Sequence, residues 1–293
     1  MGFRKVRISK RCKLETSLDK LIIRDDNRLE IFLDEINILI IENQQVCITN
    51  ALLNELIKHK IKVVLCDEKH NPVSEIVSYH GAYNTFERIK NQVNWDDEIK
   101  NKVWSEIIWQ KINNQYLILK SIGDERTADI LLNYRREIQI GDSGNREGLA
   151  AKVYFLSLFG QGFDRRDDNK ITNVYLNYGY SIILSAVNRE ISNAGYLTSF
   201  GIHHIGSENP FNFGCDLMEP FRPFVDRLII KKIVNDDNYK SSFIKLLDDE
   251  ILCDGNNTIL ENAIHNYVLS VFNALNTRRI DKIAKVTFKN EQL

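Results

Sequence analysis

The spacing of apolar residues changes part-way along the chain, and that change restricts the fold to two dissimilar parts. From Arg4 to about Val77 the apolar runs are short and rich in Ile, Val and Leu: residues 20–24, 29–33, 36–41, 45–48 and 62–66. Runs of this length, broken by Asp, Asn and Lys, read as strands. One helix interrupts them, opened by Thr49 and covering 51–60, with Leu52, Leu53, Leu56 and Ile57 along one face. Residues 69–72 signal a turn and 78–84 a hinge, which puts the boundary near Gly81. Beyond it the period is helical, over 96–122, 128–139, 146–159, 174–194, 219–234, 240–248 and 259–276. The expected class is α+β and multidomain: a small β-rich N-terminal domain over 1–80 and a larger all-α domain over 81–293.

With 293 residues, 43% of them hydrophobic, the chain can bury a substantial core, which excludes intrinsic disorder. A formal net charge of −1 excludes a uniformly basic nucleic-acid binder, so any DNA contact rests on local charge. Two basic ends offer it: Arg4, Lys5, Arg7, Lys10, Arg11 and Lys13 at one, and Arg278, Arg279, Lys282, Lys285 and Lys289 at the other. Each also reads as an ordinary solvated charge cluster. The five cysteines contain no C-x-x-C pair, so neither a disulfide framework nor a zinc ribbon is expected. The N-terminus lacks the apolar core of a signal peptide, and no stretch approaches the roughly 20 apolar residues of a membrane span. A cytoplasmic protein with no membrane partner is expected.

Two segments carry chemistry. The string Gly141-Asp-Ser-Gly-Asn-Arg-Glu-Gly148 precedes an apolar helix, with Asn145 or Ser143 suited to N-capping and Glu147 in the first turn. A carboxylate there complements the helix dipole and needs no further reason. The second is Gly201-Ile-His-His-Ile-Gly206, then a polar loop and Gly214-Cys-Asp-Leu-Met-Glu-Pro-Phe-Arg-Pro. Asp216 and Glu219, three apart, share a face if this turn is helical. Pro220 and Pro223 suit a helix beginning around Glu219. Two carboxylates and an imidazole from separate segments suit a hard or borderline divalent ion, Mg2+ or Mn2+, and hence phosphoryl transfer. On spacing alone, helix capping by the acids and ordinary loop histidines explain the same residues.

The combination of N-R-E-G at 145–148, N-Y-G-Y at 177–180, G-I-H-H at 201–204 and D-L-M-E-P-F-R-P at 216–223 resembles the CRISPR-associated integrase family, in its type II branch. The resemblance runs along the whole chain, including the 63–67 strand and the helix from Val103-Trp104 to Ile112. It implies a β-rich N-terminal domain for dimerisation or partner contact, and a helical catalytic domain holding a metal. By that resemblance the metal ligands and catalytic residues are Glu147, His204 and Glu219, with His203 the structural neighbour. Asp216 is a supporting member of the site. Arg222 is suited either to a phosphate or to a salt bridge, Tyr178 to a DNA end or to the core, and Arg146 to DNA backbone.

The implied activity is that of a metal-dependent endonuclease and integrase. It joins the 3' hydroxyls of short duplex DNA fragments to the leader-repeat end of a CRISPR array by transesterification. The implied partners are a second copy of the chain and the small ferredoxin-like Cas adaptation protein, in a heterohexamer, together with the effector nuclease of the system. A stand-alone metal nuclease acting on branched or single-stranded DNA needs the same ligands, and a ribonuclease differs only in substrate. A non-catalytic DNA-binding scaffold keeps the fold without them.

Overall fold

The computed structural model describes residues 4–68, 72–76 and 84–289. The chain divides into two compact units, Met1–Gly81 and Ala82–Leu293. The hinge expected over 78–84 and the boundary near Gly81 lie, apart from Asn84, outside the described residues, as do residues 69–71 of the expected turn.

Among its described residues the first unit holds eight strands: β1 (Arg4–Ile8), β2 (Lys13–Ser17), β3 (Lys20–Arg24), β4 (Arg28–Phe32), β5 (Ile36–Ile41), β6 (Cys47–Ile48), β7 (Lys62–Cys66) and β8 (Pro72–Ile76). They form two four-stranded sheets, ordered β1-β5-β7-β8 and β4-β3-β2-β6. In the first, β5 is flanked by parallel neighbours β1 and β7. Its sequence INILII is buried at every position, as a strand covered on both faces requires. In the second, β2, β3 and β4 form an antiparallel meander, and the short β6 pairs parallel with β2. Helix α1 (Asn50–Lys58) is capped by Thr49, whose hydroxyl accepts from the Leu52 amide. Its Leu52 and Leu56 enter a core with Leu14, Leu21, Leu33, Leu39 and Val63.

The second unit contains α2 (Thr85–Asn94), α3 (Asp97–Ser121), α4 (Glu125–Arg136), α5 (Arg146–Phe159), α6 (Ile171–Asn193), α7 (Asn212–Leu217), α8 (Arg222–Ile230), α9 (Tyr239–Leu246) and α10 (Leu260–Thr277). It also carries a three-stranded antiparallel sheet, ordered β10-β9-β11, from β9 (Glu250–Cys253), β10 (Asn256–Ile259) and β11 (Val286–Thr287). This sheet and α2 were not expected from the periodicity. The 25-residue α3 is the central helix. Besides its apolar residues it buries Gln110, Lys111, Asn114 and Gln115, so other elements cover its polar side too. Asn114 donates to the carbonyls of Pro220 and Val286, and Gln110 to that of Ala284. These bonds satisfy buried groups that helix burial otherwise leaves costly. No described helix is long and apolar enough to cross a membrane.

Both basic ends find acids within their own units. Arg278 pairs with Asp96 and Glu98, Arg279 with Asp281, Lys285 with Glu106 and Lys289 with Glu250. Arg4 pairs with Glu35 and Lys13 with Glu15. The C-terminal cluster is thus largely neutralised locally rather than a free basic patch.

Candidate functional site

Glu147 enters the site from the start of α5. The loop before it takes left-handed backbone at Gly141 (φ 70°), Asp142 (φ 51°) and Asn145 (φ 48°). This curls the chain so that the buried Asp142 carboxylate accepts the amides of Arg146 and Glu147, each at 2.9 Å, while Asn145 accepts that of Gly148. Asp142 and Asn145 therefore cap the helix. The Glu147 carboxylate is free of that duty and turns to the ammonium of Lys111 on α3, at 2.6 Å.

Glu219 arrives from a different direction. Pro220 stands in the first positions of a 3-10 turn, Glu219–Phe221, and Pro223 in those of α8, into which the turn runs. Glu219 is buried, with one oxygen 2.5 Å from the same Lys111 ammonium and the other 2.9 Å from the Arg222 guanidinium. Burial alone would raise its carboxyl, but Arg222 and Lys111 outweigh it and hold Glu219 below the usual glutamate range. Each Glu219 oxygen thus faces one cation, and a carboxylate oxygen engaged by a single donor retains a lone pair for a further cation.

The two histidines have separate duties. His203 lies flat on the fully buried Trp104 of α3, ring centroids 4.0 Å apart and planes 5° from parallel. His204 Nδ1 meets the Asp216 carboxylate at 2.6 Å, which fixes the ring and leaves Nε2 as the available nitrogen in the neutral tautomer. The Asp216 hydrogen bond raises the His204 titration against the effect of burial, and the carboxylates of Glu219 and Glu147 add to the rise. Gly201 makes the loop possible. A Cβ there would lie 2.2 Å from the His204 carbonyl and 2.7 Å from the Asp216 carboxylate.

Asp216 sits in α7 and Glu219 in the 3-10 turn that follows, joined through Met218 in right-handed helical backbone. The fully buried Asp216 accepts the amides of Ile202, His203 and His204 as well as the His204 ring. Its lone pairs are committed to shaping the histidine loop. Of the two uses open to Tyr178, the core is the one present: it has no exposed surface and packs edge-on against Tyr239. Of the two uses open to Arg222, the salt bridge to Glu219 is present, with the guanidinium 4.7 Å from the Tyr180 ring. Arg146 pairs with Glu137 at the rim.

Two features escaped the sequence reading. Lys111 is one, a buried cation near the middle of α3. The other is Asp226 on α8, buried and accepting from the hydroxyls of Tyr154 (3.0 Å) and Tyr180 (2.6 Å). Burial pushes its carboxyl up to about 6, against the pull of the two tyrosines and of Arg222.

Glu147, His204 and Glu219 do not close to within 4.8 Å of one another. Asp19, Glu55 and His59 of the N-terminal unit do, but there Glu55 and His59 are paired with Lys58 and Asp34. The central site nonetheless suits a divalent ion. It offers two carboxylates already sharing one cation, a buried oxygen with a lone pair to spare and an oriented imidazole.

Residues 8–264 match the family described as CRISPR associated protein Cas1. The chain belongs to the Cas1 family. Among curated relatives, the CRISPR-associated endonuclease Cas1 of Neisseria meningitidis serogroup C (strain 8013) is 34% identical over 231 residues, covering 78% of this chain and 76% of that one. Among solved structures, a casposase bound to integration product superposes with a TM-score of 0.78 at 17% identity, covering 95% of this chain and 91% of that one. A Cas6-RT-Cas1–Cas2 complex gives a TM-score of 0.77 at 20% identity. There the match covers 99% of this chain but only 36% of the longer one. At these identities the two structures bear on the Cas1 fold, a β-rich N-terminal part joined to a helical one.

Proposed function

We propose that this Cas1 protein is a metal-dependent DNA endonuclease and integrase of CRISPR adaptation, of the type II branch. It joins the 3' hydroxyls of short duplex fragments to the leader-repeat end of a CRISPR array. The observation that carries this reading is the gathering of Glu147 and Glu219, 72 residues apart in sequence, onto one buried cation beside an oriented His204. Family membership and the fold shared with a casposase bound to integration product support it.

Glu147, His204 Nε2 and Glu219 would hold the ion, Mg2+ or Mn2+. When bound, such an ion polarises a phosphoryl oxygen and lowers the pKa of a coordinated hydroxyl. The chain's own contribution is orientation. Asp216 keeps the His204 Nδ1–H engaged so that Nε2 is the nitrogen left to bind, Arg222 keeps Glu219 ionised, and Asp142 frees Glu147 from capping. In the proposed assembly the chain is a homodimer, two dimers are bridged by the small ferredoxin-like Cas adaptation protein, and the effector nuclease contributes to fragment selection. DNA affinity comes from backbone contacts and falls as salt rises. The setting is cytoplasmic.

A strand-transfer assay tests this: protein with its small partner, a labelled duplex with free 3' hydroxyls, a plasmid carrying leader and repeat, and Mg2+ or Mn2+. Label enters the plasmid with the wild type, and not with Glu219→Ala or with chelator. Nicking without joining would favour a stand-alone nuclease, and no metal-dependent product on any DNA would remove the catalytic reading.

A further inference from the structure

Lys111 is buried near the middle of α3, where an unpaired ammonium would be strongly disfavoured. It is tolerated because its Nζ lies 2.6 Å from Glu147 Oε1 and 2.5 Å from Glu219 Oε2. Those are carboxylates of the proposed ligand set, and they come from different elements. Without a positive charge between them, the two acids would face each other with Arg222, on the far oxygen of Glu219, as the main remaining compensation and His204 as a lesser one. The ammonium thus performs for the empty site the electrostatic task that a divalent ion performs for the filled one. It cannot do both at once. An ion bound at about 2.0–2.2 Å to both oxygens would meet a like charge in the position Nζ now holds.

We infer that Lys111 is a tethered placeholder cation, occupying the metal position while the ion is absent and displaced from both carboxylates when it binds. The inference rests on the proposed metal site and adds a competitor built into the chain. Lys has a flexible four-carbon stem and a compact charge, so it can withdraw by rotamer change, whereas a planar guanidinium would lock both acids in place. The competition weakens metal affinity, because loading must break two ion pairs. In exchange it keeps the ligand segments assembled before loading.

The test is Mn2+ titration of the full chain by calorimetry, with thermal melting in metal-free and Mn2+-loaded buffer. The wild type binds Mn2+ and Glu219→Gln does not, which ties the signal to this site. Lys111→Met, close in length and uncharged, binds Mn2+ at least about tenfold more tightly, since no ion pair need be broken. It melts lower than the wild type without metal and gains more from Mn2+. Equal or weaker Mn2+ binding by Lys111→Met, with the wild type binding normally, overturns the inference and leaves the metal site intact. Absence of Mn2+ binding by the wild type removes the underlying site instead. Should Lys111→Met not fold, crystal structures of the wild type with and without Mn2+ decide the matter. Nζ leaves both carboxylates in the loaded form if the inference holds, and stays bridging them if it fails.

Discussion

Replacing Asp226 by Asn should shift the stability of the helical unit in the variant's favour increasingly as pH rises. The Asp226 carboxyl is fully buried and its titration lies at about 6, against 3.8 for an ordinary aspartate. Burial is the largest cause. The hydroxyls of Tyr180 and Tyr154 and the charge of Arg222 offset only part of it. Below pH 3.8 the group is protonated folded and unfolded, and ionisation costs the fold nothing. Between 3.8 and about 6 only the unfolded chain ionises readily, so folding loses ground as pH rises. Above about 6 the folded protein carries the buried anion at full cost, about 3 kcal/mol for a shift of this size. The same linkage gives a cost of about 1 kcal/mol at pH 4.5. The stability difference between Asp226→Asn and the wild type should therefore move in the variant's favour by about 2 kcal/mol between pH 4.5 and 7.5. Hydrogen-bond changes made by the amide cancel in this comparison, because they do not titrate. In melting temperature the change is roughly 4–8 °C for a unit of this size. Urea titrations followed by circular dichroism at several pH values measure it. A difference that stays flat across that range would refute the reasoning, and would mean that water or the tyrosines solvate the carboxylate far better than the packing implies.

Two further substitutions probe the scaffold. Asp216→Asn should weaken Mn2+ affinity and strand transfer by about 10–100-fold, measured by calorimetry and product formation. The amide cannot accept three backbone N–H groups and the His204 ring together. Gly179→Ala should cost about 1–3 kcal/mol in urea denaturation, because its Cβ would lie 2.4 Å from Val225 Cγ1 where α6 crosses α8. Adding Val225→Ala should recover part of that loss.

Much of the architecture was legible from periodicity, because most elements bury one stripe and show the rest to water. Helix α5 lies where its caps predicted, and Thr49 opens α1 as expected. The helical stretch expected over 219–234 is shorter and begins as a 3-10 turn, since the two prolines remove amide donors from its first positions. The β9–β10 hairpin was missed although Asp254-Gly255 marks its turn, both with positive φ. Its strands are four residues each, too short for an alternation to stand out. Helix α2 is short, mostly polar and directly follows the expected hinge.

The site divides in the same way. Glu147, His204 and Glu219 stood in motifs, yet nothing in their spacing announces Lys111, whose meaning depends on two acids that reach it only in the folded chain. The distinction between His203 and His204 likewise needed Trp104, which is 99 residues away from His203 in sequence and stacks on only one of them.

The way every part of the site is referred to α3 has a consequence for how such a chain can vary. Trp104 seats the histidine loop, Lys111 gathers Glu147 and Glu219, and Asn114 holds the carbonyl of Pro220, all from one rigid element. The stretches that deliver the ligands are therefore free to change length, since each is registered by its contact with the helix and not by its distance along the chain. The segment from Trp104 to Lys111 has no such freedom. One residue inserted within it would rotate everything beyond by about 100°. The histidine loop would then face one way and the two carboxylates another, in a protein whose helices were otherwise all still present.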